Sequence, residues 1–153
     1  MEYMSQEGFD KWNAELNELI NEKLPAATQA ISEARDKGDL SENYEYRAAK
    51  REQSRLLGRI RFMQKVLEHT RVMPAERVDT SSVQLLTTVE LKNLVTGKTM
   101  AYTIVSPHEA NPSEKKISVK SPIATALMNH KQGDIVEVRV PIGLLKLSIE
   151  KIS

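Results

Sequence analysis

Apolar residues recur at alternating steps of three and four through roughly the first 76 residues, and this spacing favours helices that share a seam. The first run is Phe9, Trp12, Leu16 and Leu19, followed by Ala26 or Ala27, Ala30 and Ala34. The second run has the same spacing at Tyr46, Ala49, Gln53, Leu56, Ile60, Met63 and Leu67, of which only Gln53 is polar. Each run covers one stripe of its helix, so neither helix can bury its apolar face alone. We therefore expect an antiparallel coiled-coil hairpin.

The segment between the two runs has the composition of a turn. It is mostly polar, and Gly38 suits the position just after a helix end. Pro25 falls inside the first run and is expected to kink that helix, because proline lacks a backbone donor. With about 27 residues in each helix, the hairpin is long and ends in this polar tip.

After Met73 the pattern changes to short strands separated by turn residues. Ser121-Pro122 predicts the start of a helix, with a capping serine followed by proline at the first helical position. The predicted strands are residues 83–94, 100–105, 117–119, 135–140 and 144–152, with a tight turn at 96–97 and a loop at 106–116. The predicted fold class is α+β in two domains, a helical hairpin followed by an antiparallel sheet with one helix.

The composition excludes several classes of protein. The chain has no cysteine, which excludes disulfide scaffolds, cysteine-ligated zinc and thiol nucleophiles. The histidines are far apart in the sequence and lack a metal-ligand spacing: His69, His108 and His130. No apolar run reaches the ~18 residues of a membrane span, and no signal pattern begins the chain. We expect a cytoplasmic protein that makes no membrane contact.

The net charge of +1 conceals two oppositely charged segments. Residues 1–22 carry a net charge of −5, and residues 47–71 carry a net charge of +6. One interpretation is a solvated face of ion pairs, since the acids would lie opposite Arg61 and Lys65 at the base of the hairpin. The other is a track for a polyanion such as a nucleic-acid backbone. It would be formed by the cations nearer the tip, which are Arg47, Lys50, Arg51 and Arg55.

Acidic residues cluster at the predicted tip: Asp36, Asp39, Glu42 and Glu45. Carboxylates suit a hard cation such as Mg²⁺, although two of them alone would bind it weakly. A partner that held a first metal ion would complete a two-metal site for phosphodiester chemistry. The structural alternative is a capping box, with Asp39 as the N-cap of the second helix and Glu42 three residues later. Spacing alone favours the cap, and the two interpretations can coexist.

The aromatic residues of the first half divide into two groups. Phe9, Trp12 and Tyr46 have seam spacing, so we expect them in the core. Tyr44 lies off the seam beside the acidic residues. It would either stack on a nucleobase or pack against the end of the hairpin.

Residues 33–46, with the sequence EARDKGDLSENYEY, closely resemble the bacterial Gre transcript-cleavage factors, GreA more than GreB. Residues 48–49 and 58–60 extend this resemblance, and residues 117–124 (ISVKSPIA) and 133–136 (GDIV) resemble the C-terminal domain of the same family. The resemblance implies a coiled-coil hairpin over residues 1–74, with its acidic tip at 36–45. It also implies an FKBP-like domain over residues 75–153 that docks on RNA polymerase.

For function, the resemblance implies a transcription elongation factor that inserts its tip into the secondary channel of bacterial RNA polymerase. It would stimulate the polymerase's own Mg²⁺-dependent cleavage of the nascent RNA 3′ end in backtracked, arrested complexes. Asp39 and Glu42 would hold a Mg²⁺ ion shared with the polymerase, bound only in the complex, and would orient the attacking water. The chain would thus be a monomeric cofactor protein and not an enzyme. The residues expected to support the tip are Asn43, Tyr44 and Glu45. Those expected to contact RNA or the channel wall are Arg35, Arg47, Lys50, Arg51 and Arg55.

Three positions depart from the family pattern. Tyr44 stands where a smaller residue is usual, Lys50-Arg51 where an Arg-Glu pair is common, and residues 141–143 (PIG) replace a Pro-Gly-Gly turn. Two other functions stay open. One is a regulator that occupies the polymerase channel and inhibits without cleavage. The other is a prolyl isomerase, which the single aromatic residue of the second half, Tyr102, argues against.

Overall fold

The computed structural model of the chain describes residues 2–38 and 43–153. The chain divides into two compact units, one within residues 7–71 and the other made of residues 2–6 together with 72–153. The first unit is a helical hairpin, and the second contains a five-stranded sheet with a helix. The predicted α+β fold class is confirmed. The sequence places the domain boundary after residue 74, whereas the second unit also takes in the N-terminal residues 2–6.

The hairpin has two helical arms, and the first arm contains a π-helical turn. The first arm contains α1 (Gln6–Glu18), the π-helical turn (Leu19–Lys23) and α2 (Leu24–Arg35), and the second arm is α3 (Tyr44–Glu68). Short strands β1 (Glu2–Met4) and β2 (Thr70–Val72) form a two-stranded sheet. Among the helices described, none combines the length and the apolar composition needed to cross a membrane.

The predicted seam of α3 is confirmed at all seven positions. Leu56 and Met63 are almost completely buried and pack in one cluster with Leu19 and Ala27 of the first arm. The other seam positions of α3 are buried at Ala49 and Ile60, and half-buried at Tyr46, Gln53 and Leu67. Aliphatic packing along one stripe therefore holds the two arms together.

The seam of the first arm follows the prediction at Ala27 and Ala34 and departs from it at Ala30. Ala30, predicted on the seam, is exposed. The buried residues of α2 are Ala27, Ile31 and Ala34. The cause is the π-helical turn, in which the backbone N–H of Leu24 donates to the carbonyl of Leu19, five residues earlier. This turn inserts one extra residue into the helix, so Ile31 takes the seam position that we predicted for Ala30.

Pro25 explains why the π-helical turn occurs where it does. Pro25 lies in the first turn of α2, directly after that turn. Its ring would clash with the carbonyl four residues earlier in a regular helix, and it cannot donate a backbone hydrogen bond. A wider turn before Pro25 relieves the steric conflict of the ring with that carbonyl. The disruption predicted at Pro25 therefore takes the form of a π-helical turn.

The second unit is built on a sheet with the strand order β5-β4-β3-β7-β6. Its strands are β3 (Thr88–Asn93), β4 (Thr99–Val105), β5 (Lys116–Ser118), β6 (Ile135–Val140) and β7 (Gly143–Ile152). Three neighbouring pairs are antiparallel, with registers that include Thr88↔Thr103 for β3 and β4 and Glu137↔Lys146 for β6 and β7. The β4–β5 pair is parallel, which differs from the all-antiparallel sheet that we predicted.

One face of this sheet and the helix α4 (Pro122–Leu127) enclose the core of the second unit. As predicted, Ser121 is the N-cap of α4, and its side chain accepts a hydrogen bond from the backbone N–H of Ala124. The buried residues of this core include Val89, Leu91, Ile104, Leu127, Val136, Val138, Leu147 and Ile149. They alternate along their strands, as expected when one face of a sheet is covered.

Two loops differ from the sequence-based expectation. The strand predicted over residues 83–94 begins only at Thr88, because Leu86 has a positive φ of 70° and cannot continue a strand. The predicted loop at 106–116 contains two short 3-10 turns, Pro107–Glu109 and Pro112–Glu114. The altered turn at residues 141–143 still closes the β6–β7 hairpin, since Val140 pairs with Gly143.

The hairpin tip as candidate functional site

The described part of the tip lies on both sides of the acidic motif. Asp39 and Glu42, the predicted catalytic and metal-binding residues, fall in residues 39–42, outside the described residues. The end of α2 with residues 36–38 leads into this segment, and Asn43 with the first turn of α3 follows it. The described geometry of the tip therefore consists of the contacts that these flanking residues make.

Asn43 connects the two arms and begins α3. Its side-chain oxygen accepts a hydrogen bond of 3.0 Å from the backbone N–H of Tyr46, so Asn43 is the N-cap of α3. Its side-chain nitrogen donates a 2.6 Å hydrogen bond to the carbonyl of Ala34 near the end of α2. Because one partner is a donor and the other an acceptor, the amide can serve both only in this orientation.

The cap at Asn43 corrects the capping-box prediction. We predicted Asp39 as the N-cap of the second helix and Glu42 at its third position. The helix instead begins at Tyr44, and the residue before it has the extended backbone of a cap. The structural explanation for the two acidic residues as the cap of α3 is therefore wrong.

Lys37 and Glu45 form an ion pair between the two sides of the tip. The Lys37 Nζ lies 2.8 Å from the Glu45 Oε2, and both side chains are exposed. The hydrogen bond with Glu45 and its negative charge raise the pKa of Lys37 above its ordinary value. An exposed pair of this kind contributes little to stability, but it fixes where the two side chains lie. We predicted Gly38 as the first residue after the cap of α2. The C-cap is Asp36, so Gly38 is the second residue after it, and its φ of +131° is one that glycine adopts readily.

Two arginines of the tip lie over tyrosine rings. The guanidinium carbon of Arg35 is 5.8 Å from the ring centroid of Tyr46, which is half-buried on the seam. The guanidinium carbon of Arg47 is 4.7 Å from the ring centroid of Tyr44. Tyr44 is 78% exposed, so it does not pack into the end of the hairpin. Both distances are within the range of cation–π contacts.

The basic residues of α3 fall into two groups. Farther from the tip, Arg55 makes hydrogen bonds of 3.0 and 2.7 Å to Glu52, and Arg59 lies 3.4 Å from Glu15. The hydrogen bond with Arg55 lowers the pKa of Glu52. Nearer the tip, Arg47, Lys50 and Arg51 are exposed and form no ion pair with a carboxylate among the described residues. Near the base of the hairpin, Arg61 and Lys65 are also exposed and form no ion pair with a described carboxylate, although we expected the acids of the first arm opposite them. Uncompensated positive charge among the described residues therefore lies at both ends of α3, and the group nearer the tip is Arg47, Lys50 and Arg51.

In the part of the chain that the structure describes, no group of three or more His, Cys, Asp or Glu side chains is placed to hold a metal ion. A Mg²⁺ site at the tip would thus depend on Asp39 and Glu42. The two carboxylates have the donor chemistry that Mg²⁺ requires, and α3 uses neither of them as its N-cap. They would leave most coordination positions to water or to ligands from a partner.

Sequence reasoning missed the contacts of the tip, and three of them show which signals the sequence carried. The cap at Asn43 had a signal, because asparagine is among the best N-caps. The pair of Tyr44 and Arg47 had the weaker signal of i, i+3 spacing on a helix. The ion pair between Lys37 and Glu45 had no local signal, since the two residues are eight positions apart and meet only across the tip.

Two family models together match nearly the whole chain. The model described as "Transcription elongation factor, N-terminal" matches residues 2–72, and "Transcription elongation factor, GreA/GreB, C-term" matches residues 78–153. Among solved structures, the chain is similar to GreA factor homolog 1 (Gfh1) of Thermus thermophilus, with 26% identity and a TM-score of 0.46. That match covers 99% of this chain and 97% of the Gfh1 chain.

Curated relatives match over almost the full length. Transcription elongation factor GreA of Christiangramia forsetii is 43% identical over 150 residues, which cover 98% of this chain and 95% of the relative. GreA of Thermosipho africanus is 40% identical, with coverage of 96% and 93%. The chain therefore belongs to the GreA/GreB family of transcription elongation factors, and its sequence relatives support the GreA type.

Proposed function

We propose that this elongation factor inserts its hairpin tip into the secondary channel of bacterial RNA polymerase and stimulates cleavage of backtracked nascent RNA. The observation that most supports this proposal is the N-cap at Asn43. Because α3 is capped by that amide, the acidic pair at 39 and 42 is not explained as the cap of the helix. A chemical role for the two carboxylates then becomes the better explanation for their presence at the tip.

In this proposal some residues of the tip take part in the chemistry and others position them. Asp39 and Glu42 would hold a Mg²⁺ ion jointly with carboxylates of the polymerase. When bound, such an ion activates water and stabilises negative charge on the scissile phosphate. The residues that hold the two sides of the tip are Asn43, Lys37 and Glu45. Arg47, Lys50 and Arg51 supply positive charge for the extruded RNA or the channel wall.

The chain acts here as a cofactor protein, since two carboxylates cannot assemble the reaction without the polymerase. The RNA bond is broken by the active centre of the polymerase, and the factor works as a monomer in the cytoplasm, where the nascent RNA is made. Arg35 lies against Tyr46 and Arg55 is paired with Glu52, so we assign them smaller roles toward the RNA than Lys50 and Arg51.

The test is the cleavage of labelled RNA in purified backtracked complexes, with Mg²⁺ and with wild type or Asp39→Asn. Asparagine keeps the size of the side chain and removes its charge. Cleavage with the variant should fall to the rate of the polymerase alone. Asp36→Asn is the matched control, because it removes the same charge from the C-cap residue of α2 and should preserve stimulation.

Full stimulation by Asp39→Asn would contradict the proposal. The same experiment distinguishes a cleavage factor from a regulator that occupies the channel and inhibits the polymerase without cleavage. If the wild-type protein blocks RNA extension but yields no shortened RNA in backtracked complexes, the factor occupies the channel without promoting cleavage.

A further inference from the structure

Tyr44 is a large aromatic residue that α3 leaves in solvent. It is the first residue of α3, it is 78% exposed, and it lies off the seam that packs against the first arm. The neighbouring tyrosine, Tyr46, is half-buried on that seam and accounts for the aromatic packing at this end of the hairpin. The fold of the tip therefore gives no packing role to the Tyr44 ring.

Arg47 holds the Tyr44 ring in a defined arrangement. Its guanidinium carbon lies 4.7 Å from the ring centroid, three residues later on the same face of α3. A guanidinium on one face of an aromatic ring reduces its rotational freedom and leaves the other face for a second planar group. Arg51 follows four residues after Arg47 on this face and Lys50 lies beside it, both exposed and without an ion pair to a described carboxylate.

We propose that Tyr44 and Arg47 form a stacking site for an unpaired nucleobase of single-stranded RNA. An aromatic platform followed by uncompensated cations along one helix face is the arrangement that single-stranded nucleic acids recognise, with bases on the ring and phosphates on the cations. A purine stacks better than a pyrimidine, because its ring system is larger. This inference rests on the proposed function, which brings an extruded RNA 3′ end to the tip.

The test uses backtracked complexes whose RNA carries 2-aminopurine near the 3′ end, a base that loses fluorescence when it stacks on an aromatic ring. Three proteins are compared: wild type, Tyr44→Phe and Tyr44→Leu. Phenylalanine keeps the ring, and leucine keeps an apolar side chain and good helix propensity but has no π face. Fluorescence quenching and the concentration of factor that gives half-maximal cleavage are measured together.

Wild type and Tyr44→Phe should quench the probe, and Tyr44→Leu should not. For an RNA that ends in a purine, the concentration of Tyr44→Leu that gives half-maximal cleavage should be at least about fivefold that of wild type. For an RNA that ends in a pyrimidine, the increase should be smaller. Equal behaviour of leucine and tyrosine at position 44 overturns the stacking site.

Failure of the stacking site and failure of the proposed function give different results. Cleavage by wild type without quenching overturns the stacking site and leaves the proposed function standing. Quenching by wild type that disappears in Tyr44→Leu, without any stimulated cleavage, supports the stacking site and overturns the proposed function. Asp39→Asn, which should not cleave, should still quench the probe.

Discussion

Replacement of Asn43 by alanine tests the central contact of the tip. Asn43 makes two hydrogen bonds with one side chain: it caps α3 through the Tyr46 N–H, and it donates to the Ala34 carbonyl of the other arm. Alanine removes both bonds and introduces no steric conflict. The substitution therefore measures how much this amide contributes to the hairpin.

The expected magnitude follows from the two bonds. Loss of an N-cap costs about 1 kcal/mol. Loss of one partly buried amide–carbonyl hydrogen bond also costs about 1 kcal/mol. Asn43→Ala should therefore lower the free energy of unfolding of the hairpin by about 2 kcal/mol. Asn43→Ser is the matched control, because serine still caps but cannot reach Ala34, and it should lose about 1 kcal/mol.

Urea unfolding followed by tryptophan fluorescence reports on the hairpin specifically. The chain has a single tryptophan, Trp12, whose ring lies 6.3 Å from that of Phe62 on the other arm. With a slope of about 1.5 kcal/mol per molar urea, the midpoint should fall by about 1.3 M in Asn43→Ala and by about half of that in Asn43→Ser. An unchanged midpoint in the alanine variant would refute the role of Asn43, and equal losses in both variants would refute the division between cap and cross-arm bond.

Two further predictions concern the cores and the surface. Leu56→Ala should destabilise the hairpin by about 3 kcal/mol, because Leu56 is 1% exposed at the centre of the seam, and a Trp12 urea midpoint close to that of wild type would contradict this. The backbone N–H of Lys131 and the His130 side chain lower the pKa of Asp134, so its stabilising contribution is present above the ordinary aspartate pKa and is lost as the pH falls through its lowered value. Asp134→Asn should therefore unfold at lower urea than wild type at pH 7, and circular dichroism should show this difference shrinking below about pH 4.

The helical seams show what periodicity can and cannot predict. The spacing of apolar residues in α3 identified every seam position, because a regular helix repeats its faces without interruption. In the first arm the same reasoning failed at Ala30, because the π-helical turn before Pro25 inserts one residue into the repeat. Pro25 signalled a disruption, but proline alone does not tell whether the helix bends, breaks or widens.

The sheet shows a second limit. The helix start at Ser121-Pro122 and the β6–β7 hairpin were predictable, because caps and short turns are encoded by neighbouring residues. The parallel β4–β5 edge was not, since the pairing of strands joined by a loop depends on contacts between distant residues. The late start of β3 was missed for a related reason: Leu86 adopts a positive φ that its side chain does not signal.

The described contacts of the tip help to distinguish a chemical from a structural cause if Asp39→Asn loses stimulated cleavage. The cap of α3, the bond from Asn43 to Ala34 and the ion pair of Lys37 with Glu45 join the two sides of the tip without using residues 39–42. A charge-neutralising substitution at Asp39 therefore leaves these three described contacts in place. If Asp39→Asn keeps the urea midpoint of wild type and loses stimulated cleavage, the loss is chemical in origin. A lowered midpoint would instead show that the acidic motif helps to stabilise the hairpin, and the cleavage result would no longer separate the two roles.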